Sequence, residues 1–264
     1  IGLNSSSTFS NLFYKLFALS SFCALIGLID DKSPLPPIPR LVGQFFIALL
    51  LWRYVIQIQN INVNIFSVSF TNSFVLPISL SLILTIIWVV GVTNSINWFD
   101  GIDGLAAGVS SIYLIFFMIY SYSTNNFSLC LYSSALAGSC FGFLRFNIKK
   151  ATIIMGDCGS YFLGFNLAAL SLITFTSTSL VSSITSSEIT ILRFDLAFIL
   201  LIVPIADMSI VILSRLKKGI SPFYPDRTHL HHRLLNLGLS RLSTIIVIYL
   251  MCFISCLFVF WFIN

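Results

Sequence analysis

Residues 94–108, "NSINWFDGIDGLAAG", end one long apolar run and begin another. If two hydrophobic helices meet here, Asn94, Asn97, Asp100 and Asp103 lie together where they join. These four step by three, so successive members are neighbours on a helix. Gly101 and Gly104 bare the backbone beside both acids, which lets a ligand come close. A capped helix start in an ordinary loop accounts for one Asp, but not for two Asp and two Asn together. A hard divalent cation such as Mg²⁺ takes oxygen ligands, usually from one or two carboxylates, phosphates and water. Carboxylates and amide carbonyls at this spacing suit such a site, or the polar head of a nucleotide.

The rest of the chain makes these charges conspicuous. It is 57% hydrophobic and 9% charged, against about 25% charged in ordinary soluble domains. Several apolar runs reach the length of a spanning helix. The expected fold is all-α, a polytopic transmembrane bundle forming one integral-membrane domain over 1–264. Eight spans are expected, at 11–29, 41–59, 78–97, 102–121, 127–145, 159–178, 194–214 and 243–262. Between the second and third, "NVNIFSVSF" alternates polar and apolar residues, which predicts a small β-hairpin within 60–76, outside the membrane. The net charge of +5 favours anionic lipids or substrates; with no basic stripe interleaved by aromatics, nucleic acid is excluded. The six cysteines lack CxxC spacing and sit mostly in apolar runs, as small buried hydrophobes do.

Eight spans put the loops 30–40, 98–101, 146–158 and 215–242 on one face. That face carries Lys32, Arg40, Arg145, Lys149, Lys150, Arg215, Lys217, Lys218, Arg227, Arg233 and Arg241, most of the 14 basic residues. The positive-inside rule makes it cytoplasmic. Asp30, Asp31, Asp100, Asp103, Asp157, Asp226 and all three histidines fall there too. Glu188 and Asp195 fall opposite, and Asp207 lies inside a span.

Three further segments share that face. "LIGLIDDKSP" ends the first span with Asp30 and Asp31, adjacent carboxylates that repel unless a cation or proton is shared. They also oppose the helix dipole at a C-terminus, so a merely solvated helix end is an awkward account of them. In "IMGDCGSYFLGF", Asp157 precedes a span and is placed to cap it, as Ser160 also is. "SPFYPDRTHLHHRLLNLGLS" brings Arg227, His229, His231, His232 and Arg233 beside apolar pairs. That pattern suits phosphate contact on a membrane-skimming segment better than zinc, which would want i, i+4 histidines or a nearby Cys. No GxSxG elbow, P-loop or GxGxxG fingerprint occurs.

Taken in order, "IDDKSPLPPIPRLVGQ", "NSINWFDGIDGLAAG", "IMGDCGSYFLGF" and "DRTHLHHRLLNLGLS" resemble the polyprenyl-phosphate N-acetylhexosamine-1-phosphate transferases, glycosyltransferase family 4. The HxHH form is similar to the bacterial branch that starts envelope glycans with UDP-N-acetylglucosamine. The resemblance implies a Mg²⁺-dependent enzyme, with Mn²⁺ as a substitute, acting on UDP-N-acetylhexosamine and polyprenyl (undecaprenyl) phosphate with release of UMP. It implies a multi-pass protein of the inner (plasma) membrane with its active site facing the cytoplasm, and it allows a homodimer. Carried over, Asp157 and Asn97 become metal ligands. Asp30 and Asp31 position or deprotonate the lipid phosphate, or help hold the metal. Asn94, Asp100, Asp103 and Asn147 line the nucleotide-sugar pocket, and Arg227, His229, His231 and His232 grip diphosphate or sugar. The family usually begins about two helices earlier, so the resemblance also implies that the first helices are missing. It commonly has Pro-Ala and Phe where Lys150-Ala151 and Ile154 stand.

Three rivals remain open. The phospho-N-acetylmuramoyl-pentapeptide transferases of the same family typically show three successive histidines. CDP-alcohol phosphatidyltransferases need Ala-Arg soon after Asp-Gly and further acids on that helix, and "VSSIYLIFFMIY" has neither. A transporter built around Asp207 predicts acids spread through the membrane depth, whereas these crowd one interface.

Overall fold

The computed structural model of the chain describes residues 3–62, 74–148, 151–180, 188–224 and 228–263. Its helices are α1 (Leu3–Lys32), α2 (Pro37–Tyr54), α3 (Ile78–Phe99), α4 (Leu105–Ser123), α5 (Phe127–Asn147), α6 (Gly156–Thr174), α7 (Phe194–Leu200), α8 (Ile202–Lys217), α9 (Leu230–Asn236) and α10 (Arg241–Ile263). Four short strands are interleaved with them: β1 (Asn60–Asn62), β2 (Phe74–Val75), β3 (Thr176–Leu180) and β4 (Glu188–Arg193). Backbone groups in hydrocarbon must bond internally, and only helices let apolar runs of this length do so alone. Five described helices (α1, α3, α4, α5, α10) are long and apolar enough to cross a membrane, six if α7 and α8 count as one bent span. The protein is an all-α, multi-pass membrane protein.

The eight expected spans all correspond to helices, but not all to simple ones. The seventh is broken, since α7 and α8 meet at 78°. Pro204 sits in the first turn of α8, where its missing N–H is tolerated, and the helix therefore restarts after Leu201. The second and sixth, α2 and α6, do not meet the length-and-apolarity test by themselves. α6 has no need to, because it packs along α1, α3 and α4 as the spine of the bundle. Every residue from Leu163 to Leu172 is buried, the pattern of a helix enclosed all round. Its polar Asn166 is satisfied inside, accepting from Tyr132 Oη at 2.5 Å and donating to the Phe162 carbonyl at 2.8 Å.

The expected hairpin is present in its two described ends, with Asn60 opposite Val75 and Ile61 opposite Phe74; residues 63–73 lie outside the described residues. It is part of a larger sheet in the order β2-β1-β4-β3, in which β1 runs parallel to β4 and β3 pairs antiparallel with β4. The last residues assigned to the sixth span and part of the loop after it are thus strands. The sheet lies where α2 and α6 end and α3 and α7 begin. The acids end α1 and α3 and begin α6, so they gather at the opposite end of the bundle.

Candidate active site

The turn between α1 and α2 is short and proline-rich, with Pro36 as cap and Pro37 as first helical residue. It folds Arg40 back onto the end of α1, where Nη1 lies 2.8 Å from Asp30 Oδ2. Asp30 Oδ1 accepts from the Leu35 N–H at 2.6 Å. Both oxygens of this buried carboxylate are therefore engaged.

Asp31 points the other way, into the start of α6. Its Oδ1 accepts from the Asp157 N–H at 2.8 Å and its Oδ2 from the Cys158 N–H at 3.0 Å. A carboxylate ill-placed at the end of one helix is thereby set at the positive end of another. Capping its own helix was the plain alternative role for Asp157, and its side chain does not do so. The helix begins at Gly156, so Asp157 stands inside the first turn and Asp31 does the capping. Gly156 has φ +64°, and a Cβ there would lie 2.6 Å from Asp31 Oδ2; only glycine fits both demands.

With its backbone held by Asp31, the Asp157 side chain faces α3. Asn97 donates to Asp157 Oδ1 at 2.6 Å and to Ser160 Oγ at 2.9 Å. Asp157 Oδ2 lies 3.8 Å from Arg40 Nη1. Asp100, one residue beyond α3, is half-buried, and its carboxyl is pushed up to about 7. Burial is the chief cause, followed by the negative charges of Asp157, Asp103 and Asp31. Asp31, Asp157, Asn97 and Asp100 thus form one electronegative group, with Asp30 joined through Arg40.

The remaining expected residues are placed differently. Asn94 donates to Gln44 Oε1 at 2.5 Å and to the Val90 carbonyl at 2.8 Å, away from the acids. Asp103 forms an ion pair with Arg241. Asn147 is buried, accepting from the Gly104 N–H at 2.5 Å and donating to the Ile153 carbonyl at 2.8 Å. It pins the loop after α3 to the end of α5. Among the histidines, His229 Nδ1 lies 3.0 Å from Asp207 Oδ2, and its ring meets Trp98 edge-on at 5.2 Å. His231 is buried against the acidic loop, since a Cβ on Gly101 would come within 2.6 Å of its Nε2. Burial, then the charges of His232 and His229, push His231 down to about 4, so it is a neutral imidazole at physiological pH. The His232 ring centroid is 4.3 Å from that of His231. Arg227 lies outside the described residues.

A trough of about 650 Å³ runs from this group along the bundle. Its floor is α3 (Ile86, Val90, Asn97) and its walls are α2 (Leu41, Phe45) and α8 (Met208, Ile212). Arg40, Asn94, Asn97, Trp98, Arg215 and His229 border it at the acidic end. Arg215 lies over the Trp98 ring at 5.0 Å. An apolar trough ending in cations and amides, with Asp157 just behind Asn97 and Arg40, suits an amphiphile with an anionic head.

The donor chemistry fits an oxygen-ligated divalent cation. Asp157 and Asp100 supply hard carboxylate oxygens, and Asn97, whose nitrogen is spent on Asp157 and Ser160, retains its carbonyl oxygen. Burial chiefly raises Asp100, and the further rise from the neighbouring carboxylates is what such a cation relieves. Among the described residues, no group of three or more His, Cys, Asp or Glu side chains is arranged to hold a metal ion.

Sequence reasoning noted Arg40, Arg215 and Arg241 only as topological charges, Ser160 only as a candidate cap, and gave no role to Gln44 or Trp98. Arg40 was the most accessible of these, because a short proline-rich turn reverses the chain between Asp30 and Arg40, ten positions apart.

Comparison with known proteins agrees with this geometry. The family model for glycosyl transferase family 4 matches residues 13–175. A probable undecaprenyl-phosphate N-acetylglucosaminyl 1-phosphate transferase of Bacillus subtilis (strain 168) is 37% identical over 233 residues, covering 87% of this chain and 60% of that protein. The decaprenyl-phosphate N-acetylglucosaminephosphotransferase of Mycobacterium leprae (strain TN) is 35% identical over 234 residues, covering 85% of this chain and 58% of its own length. A phospho-N-acetylmuramoyl-pentapeptide-transferase of Thermoanaerobacter sp. (strain X514) is 37% identical, over 57% of this chain and 49% of that protein. The chain therefore spans about three fifths of the length of the first two relatives.

Proposed function

The chain belongs to glycosyl transferase family 4, and from that premise we propose that it transfers N-acetylglucosamine 1-phosphate from UDP-N-acetylglucosamine to a polyprenyl phosphate, releasing UMP. The product, a polyprenyl-diphosphate sugar, would start an envelope glycan at the cytoplasmic face of the plasma membrane. The observation that carries this reading is that Asn97 and Arg40, which line the end of the apolar trough, also touch Asp157, whose backbone N–H is held by Asp31. A polyprenyl tail matches the trough, and two phosphates meeting a divalent cation match the electronegative group.

Asp157, Asp100 and the Asn97 carbonyl would hold Mg²⁺, which when bound neutralises charge on the diphosphate. Arg40, between Asp30 and Asp157, stands where it can draw the lipid phosphate toward the acids. An oxygen of that phosphate attacks the β-phosphorus in line with the bridging oxygen. The bond from β-phosphorus to that oxygen breaks, and UMP leaves with the electron pair. Asp30 and Asp31 have their oxygens engaged by Arg40 and by backbone N–H groups, which favours positioning over proton abstraction for both.

The pentapeptide-transferase reading has less support, because that likeness extends over 57% of the chain rather than 87%. The deciding experiment supplies the full-length enzyme with polyprenyl phosphate, Mg²⁺ and either UDP-N-acetylglucosamine or UDP-N-acetylmuramoyl-pentapeptide, and measures UMP. Release with the first alone is expected. Release with the second alone would replace this reading.

A further inference from the structure

Asp207 has no part in the reaction as proposed, yet it is buried beside the trough, on the inner side of α8. Its Oδ1 accepts from the Leu230 N–H at 2.6 Å, and its Oδ2 lies 3.0 Å from His229 Nδ1. A carboxylate offers only lone pairs, so Nδ1 must carry the hydrogen of that contact. A neutral imidazole has a single N–H, which leaves Nε2 with a free lone pair. His229 borders the trough, its ring fixed edge-on by Trp98 at 5.2 Å and stacked on His231 at 5.7 Å.

We infer that Asp207 is a positioning residue: it seats the start of α9 and fixes the His229 tautomer, so that Nε2 is presented as proton acceptor to a phosphate monoester at the end of the trough. The inference rests on the transfer reaction proposed above. A phosphate monoester loses its second proton with a pKa of about 6, so near neutral pH a fraction still carries it. His229 Nε2 takes that proton as the acceptor oxygen bonds to the β-phosphorus. The bond to the bridging oxygen breaks, UMP departs with the electron pair, and the imidazolium is held against Asp207 until its proton passes to water. Asp30 and Asp31, already engaged by N–H donors, are poorer candidates for that proton.

Asp207→Asn discriminates. The Asn carbonyl can keep the Leu230 N–H, but its NH₂ then faces Nδ1, which must accept, and the ring hydrogen moves to Nε2. In the full-length enzyme at pH 6, where about half of the monoester still carries its second proton, kcat for UMP release is expected to fall severalfold, while KM for UDP-N-acetylglucosamine stays within about twofold. Asp207→Glu, which restores an acceptor, should recover part of the loss. In a His229→Ala background, Asp207→Asn should cost nothing more, because its effect passes through the ring. A fully active Asp207→Asn, or losses that multiply in the double variant, would overturn the inference. The ¹⁵N shifts of His229 in the unaltered protein give a reading independent of any variant's folding. Hydrogen on Nδ1 is expected, and hydrogen on Nε2 overturns it. Absence of UMP release from the unaltered enzyme would instead overturn the transfer reaction itself.

Discussion

At the start of α6, Asp31 from α1 accepts two backbone N–H groups; at the start of α9, Asp207 from α8 accepts one, and a histidine ring besides. Neither cap comes from the helix's own sequence. The settings differ sharply. α6 is enclosed by α1, α3 and α4 and needs no cap to persist, so Asp31 fixes where Asp157 stands rather than whether the helix forms. α9 has seven residues, too few for a helix to hold its shape alone, so Asp207 decides whether the histidines are placed at all. One device thus locates a carboxylate on a rigid spine and also assembles a loop over it.

The largest expected effect lies at the rigid end. Asp157→Ala should lower UMP release about 10³-fold with the melting temperature little changed, since the side chain serves the site and the backbone serves the helix. Normal turnover would break the contrast at once. Next come the two caps themselves. Asp207→Ala should destabilise α9 by about 2–3 kcal/mol and strip amide protection from Leu230–Asn236. Asp31→Ala should cost only about 1 kcal/mol and leave α6 protected beyond its first turn. Equal loosening of both helices by hydrogen exchange would erase the distinction. Gly156→Ala forces a side chain onto a backbone at φ +64° and toward Asp31. A loss of about 1–2 kcal/mol in denaturation is expected.

The smallest effect concerns pH. Asp100 is raised in the folded protein to about 7 from the ordinary carboxylate value of 3.8. The folded state then binds more protons than the unfolded one between these values. Its contribution to stability is full below the lower value and is lost as pH rises through the upper one. Asp100→Asn should flatten that slope and, above pH 7, stabilise the protein by about 1 kcal/mol after allowance for partial solvation. Thermal melts from pH 4 to 8 would test it, and an unchanged slope would remove Asp100 from the electronegative group.

Helices were legible because hydrocarbon leaves apolar runs no other structure, and a hydropathy reading finds them without knowing their neighbours. The bend after Leu201 was not, although Pro204 marked the place, because a proline in a first turn is tolerated equally in a new helix or a continuing one. Most of the sheet escaped as well. β1 and β4 are separated by more than a hundred residues, and strands of three and six residues carry little alternation. In the site, topology put Asp30, Asp31, Asp100, Asp103 and Asp157 on one face, spacing joined Asn94 and Asn97 to Asp100 and Asp103, and only the family resemblance paired Asn97 with Asp157. They could not give the hydrogen-bond partners that divide the work: Arg40 for Asp30, Arg241 for Asp103, Asp207 for His229. Those pairings depend on helix rotation, which a run of leucines and isoleucines does not encode. Asn147 is instructive in the same way. Expected against substrate, it instead satisfies a buried backbone N–H and a carbonyl.

The trough has a floor in α3 and two walls in α2 and α8, and its apolar rim residues Phe45 and Ile87 are exposed. On the proposed reaction, a long isoprenoid would dock its first units sideways and leave the remainder among the surrounding acyl chains. Selection among acceptors would then fall on the phosphate and the units next to it, leaving turnover nearly indifferent to how many isoprenes follow.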